Sequence, residues 1–344
     1  MGLLPPPAPT LTQTSHDVRL DPLLANAIRD VLDAAESANT RRAYDSQTAK
    51  FERWCLASSV AAFPATSATV AAFLVSLAAL EGRRVATVSL ALAAIGAAHR
   101  SQNLPFDSQA LEIRQVMKGI RRKFACLQKQ ARPLDPMLVR AIAGAPCESI
   151  TMARDAALVA LLFCGALRRS ELAGLDYGKS GGGDGVLKIT PTTLELILLR
   201  SKSRSEPTVV LIPAAENQLL VDAVSRWIDA AGLKPGAPMF PSIRKASRTG
   251  GRLAPGGVSW ALKACVERHL LAAGWSAEAA RAEASTYSGH SGRIGLYVAG
   301  AEAGVALESI AGLARHRGLG IAQRYSRKAD QLRRAPSLNP ALQI

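Results

Sequence analysis

Residues 165–172 read Gly165-Ala166-Leu167-Arg168-Arg169-Ser170-Glu171-Leu172, and the texture of the chain changes across them. Before them, Asp155 to Ala166 is an apolar helical run. After them come three short strands separated by turn material, Val186 to Ile189, Leu194 to Leu199 and Thr208 to Ile212. A helix running directly into a small sheet marks an α+β domain. Arg168 closes the apolar run, and a buried arginine needs an anionic partner. Glu171, three residues on, can orient it, or a phosphate from outside can complete it. By itself the stretch reads equally well as a second, N-capped helix starting at Ser170 or Glu171.

Working outward, Gly181, Gly182, Gly183 and Gly185 form a loose loop ahead of the first strand; no G-K-[ST] follows, so it is a poor phosphate loop. From Glu216 onward the chain is mostly helical, including Gln218 to Ala231, Val258 to Ala273, Gly289 to Ala299 and Leu307 to Ala314. Upstream, Met137 to Ala143 is helical, and Ala125 to Pro136, with Pro133 and Pro136, reads as an extended linker. Ahead of it lie four helices. The first has Thr40 as its expected N-cap and Tyr44, Phe51, Trp54 and Cys55 at helical spacing; the others are Ser67 to Leu80, Ala86 to Arg100 and Asp107 to Phe124. The expected fold is mainly α with a small antiparallel β-sheet. Residues 1–36 form a flexible tail, 37–124 a four-helix-type domain, 125–136 the linker, 137–331 an α+β domain and 332–344 a C-terminal segment.

The 344 residues suffice for two domains, and 48% hydrophobic content supports a sizeable core. Lys and Arg outnumber Asp and Glu by 42 to 27, a formal charge of +15, which favours a polyanionic partner. The odd, scattered Cys55, Cys126, Cys147, Cys164 and Cys265 contain no C-x-x-C pair, arguing against disulfides or zinc and for a reducing cytoplasm. Cys164 lies in an apolar run and reads as a small core residue. Met1 to Thr10 lacks a signal-peptide pattern, Pro6 spoils the myristoylation pattern at Gly2, and the runs Thr69 to Leu80 and Ala156 to Leu167 are too short to span a bilayer.

Basic residues recur at helix ends in the first domain: Arg41 and Arg42, Arg83 and Arg84, His99 and Arg100, then Arg121, Arg122 and Lys123. Each group alone is a solvated helix face; their recurrence suggests a phosphate-facing surface. In the second domain Arg200-Ser201-Lys202-Ser203-Arg204 occupies the turn between the second and third strands. Lys202 there is either exposed decoration or, held near a substrate, a general acid. Ser288-Gly289-His290-Ser291-Gly292-Arg293 places His290 and Arg293 on one face at the start of a helix. His316 in Leu313-Ala314-Arg315-His316-Arg317 is followed nine residues later by Tyr325 in Gln323-Arg324-Tyr325-Ser326-Arg327. A tyrosine between arginines is not an obvious core residue, although packing with the hydroxyl bonded outward is the commoner fate of the type.

Together these elements resemble the tyrosine recombinase (phage integrase) family, in its Cre-like form. The resemblance rests on Leu167-Arg168-x-x-Glu171, Lys202 in a β-turn, His290-x-x-Arg293, His316 and Tyr325, in that order, and covers roughly Ser37 to the C-terminus. The chain departs from the pattern at Ala314-Arg315-His316, where many members carry Leu-Gly-His. The resemblance implies a site-specific DNA recombinase. In it, Arg168 and Arg293 hold the phosphate, His290 and His316 donate hydrogen bonds, with His290 also a candidate base, and Lys202 protonates the leaving oxygen. Tyr325 is the nucleophile and Glu171 a support. It further implies a DNA-binding helical domain and a catalytic domain that clamp the duplex, and no metal, ATP or other cofactor. The partners implied are double-stranded DNA with inverted half-sites and copies of the same chain, a dimer on one site and a tetramer in the synapse. Leu332 to Ile344 then either docks on a neighbouring protomer or is a frayed tail. The alternatives are a type IB topoisomerase or resolvase with the same residue set, and a DNA-binding architectural protein that does not cut.

Overall fold

The computed structural model describes residues 21, 38–125, 130–199, 206–243 and 249–315. The chain divides into two compact units, Met1–Gln128 and Lys129–Ile344.

The first unit contains α1 (Ala38–Ala57), α2 (Ser67–Val75), α3 (Val85–Ser101) and α4 (Leu111–Lys123). Helix α1 is already formed at Ala38, so Thr40 lies inside it and is not its cap. The hydroxyl that does cap belongs to Thr66, which accepts from Thr69 N at 3.1 Å at the start of α2. Helix α2 widens into one π turn, Ser76–Leu80, where Ser76 Oγ donates to Phe73 O at 2.8 Å and adds a side-chain bond to the ladder. Phe51, Phe73, Leu74, Leu77, Val88 and Ile95 form the centre of a single core.

His99 belongs to that core, which corrects its expected place on a phosphate-facing surface. It is fully buried, its Nε2 accepts from Ala65 N at 2.9 Å, and its Nδ1 donates to Ile95 O at 2.8 Å. Its ring stacks on Phe106 at 4.6 Å and meets Phe63 edge-on at 4.9 Å. With both nitrogens engaged inside the unit, the imidazole has nothing to offer a solvent-side phosphate.

The second unit starts with α5 (Pro136–Gly144), α6 (Ile150–Cys164) and the short α7 (Arg169–Ala173). Asp135 caps α5, accepting from Met137 N at 2.7 Å, and Pro136 takes the first helical position, where no N–H is needed. Residues 130–135, expected as linker, are docked onto this unit. Arg132 N donates to Thr286 O at 3.0 Å, Leu134 N donates to Ser291 O at 2.9 Å, and Leu134 is buried. Helix α6 is buried continuously from Ala153 to Leu162, as expected of a helix apolar on all sides. Its two charged residues, Arg154 and Asp155, pair with each other, and Asp155 also pairs with Arg268 at 2.7 Å.

Four strands follow α7: β1 (Leu175–Tyr177), β2 (Gly185–Ile189), β3 (Thr193–Leu198) and β4 (Thr208–Pro213), in the order β1-β2-β3-β4. The expected antiparallel sheet is β2, β3 and β4, with Leu187 opposite Leu196 and Leu196 opposite Val210; β1 adds a parallel edge. Alternation puts Leu194, Leu196, Leu198, Val210 and Ile212 into the core and leaves Val209 and Leu211 exposed. The glycine loop between β1 and β2 wraps a buried carboxylate: Asp176 Oδ2 accepts from Gly181 N at 2.6 Å and Gly183 N at 2.8 Å, while Oδ1 pairs with Arg252.

Beyond the sheet come α8 (Gln218–Ala231), a hairpin of β5 (Pro241–Ile243) and β6 (Thr249–Arg252), then α9 (Pro255–Ala272), α10 (Ala277–Ser285), α11 (Ser291–Glu302) and α12 (Leu307–Leu313). Two glycines let α11 press into the core. A Cβ on Gly292 would lie 2.6 Å from Leu162 O, and one on Gly295 only 2.1 Å from Leu134 O.

Replacing His99 with Ala is expected to destabilise the protein by about 2–4 kcal/mol, by removing a packed ring and stranding the Ala65 N–H. Gly295→Ala should cost about 1–3 kcal/mol by forcing α11 away from Leu134. Urea unfolding of each variant beside the parent checks both; unchanged midpoints would contradict these packing assignments.

Candidate functional site

Arg168 sits at the N-cap of α7, in extended backbone at φ −73° and ψ 150°, so the helix begins one or two residues earlier than the Ser170 or Glu171 start allowed by sequence. Glu171, in the first turn, reaches back to accept from Arg168 N at 2.9 Å, and its Oε1 pairs with the Arg168 guanidinium. The cap and the ion pair are therefore one arrangement. Glu171 is buried, and its second oxygen receives Arg315 Nη2 at 3.0 Å, with Arg293 Nη2 at 3.8 Å. Three arginines from three elements surround one carboxylate. Burial raises the Glu171 pKa, but Arg315, the Arg168 N–H, Arg168 and Arg293 together bring it below the ordinary glutamate value.

A second convergence fixes the same arginines. Ala166, between α6 and α7, is fully buried in the left-handed region at φ 45°, which costs an L-residue about 1–2 kcal/mol. Its carbonyl accepts from Arg293 Nε at 3.0 Å and from Arg315 Nη2 at 3.0 Å. Arg315 also donates to Gly165 O at 3.2 Å and Leu313 O at 3.0 Å. Burial and then the charge of Arg168 push the Arg293 pKa down to about 10, with Arg315 adding to the push and Glu171 opposing it. It stays charged at neutral pH.

His290 is exposed at the N-cap of α11. Its backbone N donates to Ser288 Oγ at 3.2 Å, and Ser288 N donates to Ser291 Oγ at 2.9 Å. Surrounding protein, followed by the charges of Arg293, Arg169 and Arg168, holds the imidazole below its ordinary pKa. At neutral pH the ring is therefore uncharged and able to accept a proton beside a cluster of fixed positive charge.

Of the residues expected at a reaction centre, Arg168, Glu171 and Arg293 converge, and His290 feels the field of both arginines. Lys202, His316 and Tyr325 lie outside the described residues, as does the segment 332–344. Arg315 was missed as a member of this cluster. Its only sequence signal was the departure from Leu-Gly-His immediately before His316. Cys164 and Cys265 are not competitors for the chemistry: burial pushes Cys164 up to about 11 and Cys265 up to about 12.

In the first unit, Arg42, Arg83, Arg84, Arg100, Arg121, Arg122 and Lys123 are exposed, and Arg41 is half-buried. Arg100 and Arg121 line one open groove of about 330 Å³ with Tyr44, Ser89 and Ser108. The others are differently placed: Arg83 pairs with Glu81 at 3.0 Å, Arg42 donates to Asn39 at 2.9 Å, and Lys123 sits 5.7 Å from the centre of the Phe124 ring. Arg100, Arg121, Arg122 and Lys123 also occupy last helical turns, where a cation complements the backbone dipole whatever else it binds. No described helix is long and apolar enough to cross a membrane.

No protein-family model matches this chain. A curated relative, an integrase/recombinase XerD homolog of Selenomonas ruminantium, is 26% identical over 254 residues, covering 70% of this chain and 72% of the relative. Among solved structures, the Tn1549 transposon integrase in complex with transposon right-end DNA aligns with TM-score 0.54 at 16% identity, over 91% of this chain and 98% of that one. A lambda integrase dimer bound to a COC′ core site aligns with TM-score 0.51 at 16% identity, over 88% and 93%. The XerH site-specific recombinase bound to a palindromic difH substrate aligns with TM-score 0.52 at 16% identity, over 80% and 72%. These structures share a fold with this chain across both units, and the relative aligns with 70% of it at 26% identity. With the order of residues from Arg168 to Tyr325, they make the chain similar to the tyrosine recombinases and integrases in sequence and in fold.

Proposed function

We propose that the protein is a site-specific DNA recombinase that cleaves and rejoins strands through a 3′-phosphotyrosyl intermediate on Tyr325. The observation that carries this reading is the convergence, among the described residues, of Arg168, Arg293 and Arg315 on one buried carboxylate, Glu171. Such a site favours a further anion, and a phosphodiester in transit to its more highly charged transition state gains most.

In the proposed reaction the guanidinium forks of Arg168 and Arg293 bind the non-bridging oxygens. The Tyr325 oxygen attacks phosphorus as the bond to the 5′-oxygen breaks, and the tyrosine proton passes to His290, which its surroundings keep neutral. Lys202 gives a proton to the departing 5′-oxygen, and His316 donates a further hydrogen bond to the phosphate. A 5′-hydroxyl from a second duplex then attacks the phosphotyrosine, releases Tyr325 and closes a new strand. One phosphodiester is exchanged for another of equal order, so the cycle has no need of ATP, and the arginines supply the charge stabilisation for which other enzymes use a metal. The first unit would contact double-stranded DNA through its basic helix ends, with Arg100 and Arg121 foremost. Copies of the chain would pair on inverted half-sites and form a tetramer at synapsis.

A nicked duplex, selected from random-sequence DNA by its binding to the protein, tests the reading. The parent protein is expected to form an adduct that survives denaturant. Tyr325→Phe should form none while binding the duplex with unchanged affinity; an adduct that persists in this variant refutes the assignment. A type IB topoisomerase would instead relax supercoiled DNA without joining two duplexes, and an architectural protein would yield no adduct from the parent. The rate of adduct formation at subsaturating DNA should fall as pH drops from neutrality, with a midpoint below 6.5, the ordinary histidine value. The sign follows from the role, since a base must be unprotonated and its depressed pKa extends that form to lower pH. A midpoint above pH 6.5 would remove His290 from the role of base.

A further inference from the structure

Glu171 offers two oxygens, and the described residues approach them differently. Oε1 is held by the Arg168 side chain. Oε2 accepts from Arg168 N at 2.9 Å and from Arg315 Nη2 at 3.0 Å, while Arg293 Nη2 stands 3.8 Å from the same oxygen, beyond the reach of a normal hydrogen bond. We propose that Arg315 is a positioning residue: by taking the Glu171 oxygen that faces Arg293, it sets where the Arg293 guanidinium stands relative to the reacting phosphate. The proposal rests on the recombinase reading for its catalytic consequence and on geometry alone for its structural one.

Three observations support it. Arg315 is 3% exposed, so it is not a surface cation that happens to lie nearby. Its guanidinium also serves the carbonyls of Gly165, Ala166 and Leu313, tying the turn that carries Arg168 to the end of α12, next to His316 in sequence. Its backbone, like that of Ala166, adopts the left-handed region, at φ 55°. A glycine would hold that backbone without strain, so the arginine is kept there against the local preference of the chain. Where the family pattern has Gly before the last histidine, this chain has a buried fork that adds a third positive charge to the cluster.

The physical consequence follows from the competition for Glu171. A buried carboxylate draws in whichever charged donors can reach it. With Arg315 absent, Oε2 would accept from Arg293, which need move only about 1 Å from its 3.8 Å separation to reach hydrogen-bond distance, and Arg293 would then be drawn inward by its contact with Glu171. A lysine in place of Arg315 keeps one charge but brings a single nitrogen, and cannot reach a carboxylate and three carbonyls in the geometry of a planar fork.

The test compares full-length parent, Arg315→Gly and Arg315→Lys proteins. Each is read for adduct formation and affinity on the binding-selected nicked duplex, for thermal unfolding, and for the position of Arg293 in a crystal structure. In Arg315→Gly, adduct formation should slow by about 10- to 100-fold, the range typical of a lost supporting partner, with affinity nearly unchanged. Arg293 should move to hydrogen-bond distance of Glu171, and millimolar guanidinium should restore part of the rate. Arg315→Lys should show the same slowing without the loss of charge, and it carries the test if the glycine variant fails to fold. An Arg293 that keeps its 3.8 Å separation in the variants overturns the proposal. So does a parental rate, or a loss of rate, affinity and thermal stability in common proportion. If the parent forms no adduct, the recombinase reading fails, and the displacement of Arg293 still decides whether Arg315 positions it.

Discussion

A buried carboxylate is the constraint on which the second unit is organised. Glu171 cannot remain ionised in the interior without donors, and α7, α11 and the chain after α12 each bring it an arginine. The arrangement overcompensates. Among the described residues one negative charge meets three positive ones, and burial, followed by the charge of Arg168, lowers the pKa of Arg293. A site that only needed to be stable would stop at one or two partners. Among the described residues the cluster gathers guanidinium groups that could also hold an anion, which links local capping geometry to the proposed role.

The same economy appears at Ala166. Its left-handed backbone turns one carbonyl into the space between Arg293 and Arg315, so a strained residue anchors two side chains from distant parts of the sequence. Close packing of α11 through Gly292 and Gly295 brings Arg293 within reach of that carbonyl. Strain in the α6–α7 turn, missing side chains on α11 and a buried fork after α12 are thus parts of one arrangement.

Much of this was legible in the sequence, for identifiable reasons. Strands β2 to β4 alternate or run apolar over five or six residues, and α8 shows a full helical period, so both could be placed from local pattern. Strand β1 has three residues and pairs in parallel, and β5 has three, too few for any period to register. Arg168, Glu171, His290 and Arg293 stood out because their order is informative even when each spacing is weak. Arg315 did not, because its partners Gly165, Ala166 and Glu171 are about 150 residues away along the chain. His99 misled for a related reason. It adjoins Arg100 at a helix end, yet the helix turns about 100° between successive residues, so one neighbour faces the core and the other solvent.

The glycine loop between β1 and β2 carries a different lesson. Its backbone N–H groups at Gly181 and Gly183 close on Asp176, with Arg252 completing the shell. The loop is a receptor whose guest is tethered. Because Asp176 belongs to the same chain, its effective concentration at those N–H groups far exceeds that of any dissolved phosphate, and the seat is taken as soon as the chain folds. Free anions therefore find this loop already occupied and closed to them.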